Sequence, residues 1–257
     1  FDDEDLPVVP ALPRSTSKPT HTLSVNPGFP QVNIPTISTR FKAPDFIHLL
    51  TSFIRRFYPL PQDPVLPNAT DRFDLFKILS IRLPDLPAVG RTNGLDRIRC
   101  TPMVPATLGK PESGAHFDTV LVRTEDELDN EVTRGTALHG LRVAQVRAIF
   151  VLPKHLRAQL LPHRLAYIEW FKPFRAANLN PDSKLYSVSR SVRHQAPVAA
   201  IIPLEDIVSS CHLSPKYDTR HHAGSWTTDI ALEVCKTFTL NKYIHLGTFY
   251  EHQSHLH

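Results

Sequence analysis

Twenty-four prolines stand against nine glycines in this chain, and that imbalance limits its fold more than any motif does. Proline fixes φ and lacks an amide donor, so it stops helices and is kept out of central strands. Long helices and helical bundles are therefore excluded, and short strands joined by loops and extended connectors are expected. Hydrophobic residues make up 41% of the 257 positions, enough for a core, which rules out wholesale disorder. No apolar run approaches the roughly 20 residues that span a bilayer, so no membrane partner is expected. The chain opens at Phe1 with Asp2-Asp3-Glu4-Asp5 and no Met, and reads as a fragment or processed piece.

Seven prolines fall within residues 1–40 and leave no period of 2 or 3.6, so 1–40 reads as a disordered arm. Asp45 then precedes Phe46, Leu49, Leu50, Phe53, Ile54 and Phe57 at i, i+3, i+4 spacing, an amphipathic helix that Pro59 and Pro61 stop. It anchors a helix-containing subdomain over 41–111, in which 73–83 and 96–100 are further element candidates. Past Phe117 short alternating runs recur: 117–123, 141–152, 165–171, 186–188, 198–202 and 204–211. In 141–152, Ala144, Val146, Ala148 and Phe150 share one face, with Gln145 and Arg147 on the other. Such spacing predicts a mainly β (α+β) chain with a small barrel over 112–218 and an extension over 219–257. Ala144, Val146, Phe150, Ile168, Trp170, Ile202 and Ile207 are the expected core.

Three cysteines with no short spacing support neither a disulfide framework nor a CxxC site, and free thiols suit a reducing compartment, nucleus or cytoplasm. None of the common nucleotide-binding, serine-hydrolase or zinc-protease motifs occurs. The histidines near the C-terminus and the Cys211-His212 pair lack a ligand spacing, so no metal or cofactor is expected. Asp118 and Glu169 are the carboxylates a metal-dependent nuclease would use, and such an enzyme is the alternative reading.

Charge is the remaining signal. Between Arg134 and His194 eleven Lys or Arg face only Glu169 and Asp182, a local excess of nine. That stretch suits a phosphate backbone or an acidic protein surface. The candidate nucleic-acid contacts are Arg142, Arg147, Lys154, Arg157, Arg164, Lys172, Arg175, Arg190 and Arg193. Tyr167, Trp170 and Tyr186 are the candidate aromatic contacts, since a cationic protein tail requires rings around one charge.

Several blocks also carry a resemblance. Arg142–Phe150, Leu165–Phe171, Ile201–Ile207 and Ser210–Pro215 resemble, in order and spacing, the C-terminal region of Plavaka and related KDZ-type transposase proteins of mushroom-forming fungi. Segments 117–122, 226–228, 46–57 and 96–102 resemble flanking parts of that region, so the likeness covers roughly 45–250. It implies an accessory domain, with the catalytic acids of those proteins lying outside this chain. Val143-Ala144-Gln145-Val146, Trp170-Phe171, Ser187 to Ser189, Ile202-Pro203 to Ile207 and Cys211 also resemble the order of a BAH domain, a β module of chromatin proteins. Here Lys172-Pro173-Phe174-Arg175 and Lys184 stand where that pattern carries acids, which favours a phosphate-facing surface over a histone-tail reader. The resulting expectation is a nuclear, non-catalytic, transposon-derived module that contacts DNA or chromatin, with a decayed structural remnant as the further alternative.

Overall fold

The computed structural model describes residues 20–58, 64–87, 90, 92–109, 111–158, 161–216, 231–244 and 248. Their elements run β1 (Thr20–Leu23), β2 (Phe29–Asn33), α1 (Ile34–Arg40), α2 (Phe46–Arg56), β3 (Arg72–Leu75), β4 (Ile78–Arg82), β5 (Leu95–Thr101), β6 (His116–Phe117), β7 (Thr119–Arg123), β8 (Leu141–Val151) and β9 (Arg164–Trp170). There follow β10 (Ser187–Ser189), β11 (Val192–Arg193), β12 (Ala196–Pro197), β13 (Ala199–Pro203), β14 (Ile207–Ser210), β15 (Leu213–Pro215), α3 (Ala231–Val234) and β16 (Thr237–Leu240). The chain is mainly β, in several antiparallel sheets of which none closes on itself.

Strand β8 organises the largest sheet. One edge pairs with β9, and the other is shared, β7 taking Leu141–Gln145 and β3 taking Phe150 and Val151. A register shift opposite Tyr167 and Ile168 exchanges the faces of β8 midway. Beyond β9 lies β13; beyond β3 lies β2; β14 pairs with β7. A second sheet runs β1-β4-β5-β6 and a third β10-β16-β15, while β11 and β12 form a hairpin. His194 and Gln195 turn that hairpin with φ of 49° and 65°, the left-handed pair of a tight two-residue turn.

Two packed clusters result. The larger takes Phe46, Leu50, Phe53 and Ile54 from the buried stripe of α2, Ile37 and Phe41 from the α1 region, and Ile168, Ile202 and Ile207 from β9, β13 and β14. Phe46 sits 5.0 Å from Phe73 and 4.9 Å from Phe150 between ring centroids, so helix and sheet interlock through aromatic edges. The smaller cluster covers the opposite face of β8, gathering Val143, Phe171, Tyr186, Val188 and Phe238.

Three expectations need correction. The arm foreseen over 1–40 is folded from Thr20 onward, and residues 1–19 lie outside the described ones. Its prolines sit where no amide donor is needed: Pro30 on the edge strand β2, Pro35 in the first turn of α1, whose cap Asn33 accepts the Thr36 N–H at 2.9 Å. Strand β1 is fastened by its His21, whose Nε2 lies 2.7 Å from the Ile207 carbonyl, and by Arg164, which donates to the His21 carbonyl. Divisions at 40/41 and 111/112 do not coincide with breaks in packing, because one core joins Ile37 to Ile207. The segment beyond 219, where described, adds Cys235, Phe238 and Leu240 to the smaller cluster. Finally, Gln145 and Arg147 do not face outward. The third sheet and α3 cover their face of β8, leaving Arg147 only 2% exposed.

Of the expected core, Ala144, Val146, Phe150, Ile168, Ile202 and Ile207 are buried and Trp170 is half-buried.

Candidate functional site

The nine basic candidates separate into three classes. Arg147 and Arg190 are interior and structural. Arg147 donates to Glu169 at 2.8 Å and to Glu233 of α3 at 2.7 Å, and Arg190 donates to Glu169 at 2.9 Å and to the Gln145 side chain. Burial opposes the Arg147 charge, but the hydrogen bond it donates to Glu233 and the attraction of Glu169 outweigh it, and its pKa lies above the ordinary value. For Arg190, burial and the nearby Arg147 prevail, and its pKa is lowered. Glu233 is likewise desolvated, yet Arg147, Lys42 and Arg190 hold its carboxyl below the usual range. Two guanidinium groups thus meet two carboxylates, a balanced set that a buried site requires.

Arg142 and Arg164 are partly engaged. Arg142 donates to the Phe171 carbonyl at 2.8 Å and lies over the Trp170 ring at 5.0 Å. Arg164 is paired with Glu205 at 2.7 Å. Exposed side chains remain at Lys154, Arg157, Lys172, Arg175 and Arg193, and none has a carboxylate partner among the described residues.

These five do not gather at one place. Lys154 and Arg157 follow β8, whereas Lys172 and Arg175 follow its antiparallel neighbour β9, so the pairs stand at opposite ends of a seven-residue strand, about 23 Å apart along its axis. Arg193 belongs with the second pair. The Lys172 amide donates to the Ser189 carbonyl at 2.8 Å, Phe171 bridges Arg190, and the β11–β12 hairpin continues from there with both strands exposed. The end of β9 therefore carries three free cations, Lys172, Arg175 and Arg193, with His194 at the hairpin tip.

The aromatic candidates form no cage. Tyr167 is buried against Phe46, and burial pushes its hydroxyl pKa up. Tyr186 packs against Phe174 at 4.9 Å and donates to the Val132 carbonyl at 3.3 Å. Trp170 already carries Arg142 on its ring.

The carboxylates of the nuclease reading are also spoken for. Asp118 accepts two bonds from the Arg99 guanidinium, at 3.0 and 3.2 Å, and Glu169 is held by two arginines. Among the described residues no three His, Cys, Asp or Glu side chains stand together as metal ligands would. Cys211 packs against the smaller cluster, where burial pushes its thiol up to about 12, while His212 is exposed. His221, His222 and the histidines from 252 onward lie outside the described residues.

No family model, curated protein or solved structure matches the chain. The site must stand on its own geometry. Sequence reasoning missed the Arg147–Glu169–Arg190–Glu233 network, although one signal was legible: Glu169 and Arg147 are charged residues inside otherwise apolar strands. Glu233 gave no such signal, because nothing in its neighbourhood announces a partner 86 residues away.

Proposed function

We propose that this chain is a non-catalytic interaction module that contacts DNA or chromatin in the nucleus through the cationic end of β9. The observation that carries this reading is the unpaired, exposed set Lys172, Arg175 and Arg193, beside a hairpin whose side chains are open to solvent. Phosphate binding requires charges that are free and accessible, and these meet both conditions. Among the described residues no base-reading helix accompanies them, so binding is sequence-tolerant. The transposon-derived, BAH-like barrel of the fungal transposase resemblance belongs to the same proposal, and the antiparallel strands around β8 are compatible with it. No helix among the described residues is long and apolar enough to cross a membrane.

The test is a gel-shift titration on duplex DNA at 50 and 200 mM salt. Three phosphate contacts give a slope of about −2.7 in log K against log salt, hence a loss of roughly 40-fold across that range. Reversing Lys172, Arg175 and Arg193 together removes binding while the thermal midpoint moves by no more than about 2 °C, because all three side chains are on the surface. A wild-type chain that fails to shift DNA even at low salt ends the nucleic-acid reading.

A further inference from the structure

A cavity of about 190 Å³ opens in the smaller cluster, and Lys172, Arg175 and Arg193 are not among its lining residues. Leu138, Leu179, Leu240 and the ring of Tyr186 wall it, and Lys184 and Lys242 supply its only charges among the lining residues. Lys242 is the unusual member. It is 9% exposed, and among the described residues its ammonium has one partner, the Tyr243 ring at 5.5 Å from the centroid. No carboxylate among the described lining residues stands beside it, and an unpaired charge against an apolar wall is costly. Burial accordingly pulls its pKa down, with no opposing attraction. Lys184 is held in the left-handed region at φ 52°, where a residue other than glycine is strained, by a turn in which its amide donates to the Asn180 carbonyl at 3.0 Å.

We propose that this cavity is a binding site for a small carboxylic acid with one compact apolar body, whose carboxylate meets Lys242 and Lys184. Size sets the class. An apolar cavity of about 150 Å³ holds one benzene ring, whereas drug-sized ligands occupy about 300–1,000 Å³, so nucleotides and long-chain acids are too large. Charge narrows it further: among the described residues no Asp or Glu lines the cavity, so an α-amino acid would leave its ammonium beside two others. The hydroxyl of Tyr186 is already committed to the Val132 carbonyl, which leaves its ring as wall.

The experiment titrates the chain with phenylacetate, 2-phenylethanol and 2-phenylethylamine by calorimetry and amide chemical shifts. Phenylacetate is expected to bind at least about tenfold more tightly than the alcohol, the amine not at all, with shifts centred on 132–138, 179–186 and 240–242. Lys242→Met should bring phenylacetate down to the level of the alcohol, and Lys242→Arg should keep the preference. Should Lys242→Met fail to fold, the exposed Lys184→Gln, expected to weaken phenylacetate about threefold, and Leu179→Trp, expected to block both ligands, keep the test decisive. Equal binding of acid and alcohol, or no binding at 10 mM phenylacetate, overturns the site. A peptide ending in a free phenylalanine carboxylate that binds where phenylacetate does not also overturns it, in favour of a chain terminus. Lys172, Arg175 and Arg193 are unchanged in all of these variants, so the DNA titration and the phenylacetate titration fail or succeed separately.

Discussion

Replacing Glu169 by Gln is the sharpest probe of how this domain holds together. Glu169 is 4% exposed and accepts from both Arg147 and Arg190. Gln preserves shape and one acceptor but removes the charge, leaving two guanidinium groups in the interior that cannot shed their protons. Breaking a buried pair costs about 3–5 kcal/mol, and because Glu233 still reaches Arg147 at 2.7 Å the low end applies, about 3 kcal/mol. Arg147→Met should cost less, about 1–2 kcal/mol, because Glu169 keeps Arg190, Glu233 keeps Lys42 at 3.4 Å, and the methionine fills the guanidinium stem's place. Urea unfolding followed by tryptophan fluorescence measures both, each variant being compared at constant slope. At about 2–4 °C per kcal/mol, the Gln variant should melt roughly 6–12 °C lower. The difference should persist in 0.5 M NaCl, since salt screens buried pairs poorly. A Glu169→Gln variant within 1 kcal/mol of wild type, or an Arg147→Met variant less stable than it, would refute the reasoning.

Further outcomes follow from the same geometry. Phe150→Ala, which empties the junction of Phe46 and Phe73, should lower stability by about 3–5 kcal/mol in the same urea assay. Glu233 has its folded pKa depressed below the ordinary 4.5, so its stabilising effect is complete above that pH and fades as pH falls through the folded value. The stability gap between wild type and Glu233→Gln should thus be widest at neutral pH and close on acidification, as melting curves from pH 7 to 3 would record. Burial pushes the Cys100 and Cys211 thiols up, to about 12 for Cys211, so neither should react with a thiol reagent at pH 8 until denaturant is added.

Local patterning made much of the architecture legible. The 3.6-residue stripe from Phe46 placed α2 to within a residue, and the alternation from Leu141 placed β8. Long-range compensation is what sequence could not display. Arg147 and Arg190 read as surface cations because a lone strand shows only that polar residues alternate with apolar ones; it does not show that α3 and the third sheet cover that face. Prolines misled for a related reason. Their density over 20–40 suggested an arm, whereas an edge strand and a first helical turn tolerate them without loss. For the candidate site, composition identified a cationic stretch but not its division, which arises because β8 and β9 run antiparallel and send their flanking loops to opposite ends.

The fastening of β1 has a consequence for how the chain is made. His21 reaches the carbonyl of Ile207 across 186 residues. During synthesis at about 5–20 residues per second, β1 leaves the ribosome roughly 10–40 s before that acceptor exists. Its pairing with β4 becomes available part-way through that interval, once Ile78–Arg82 has emerged, but the clasp that closes the larger core does not. A nascent chain of this design spends its synthesis with unsealed strand edges, and folds in earnest only once β14 has emerged.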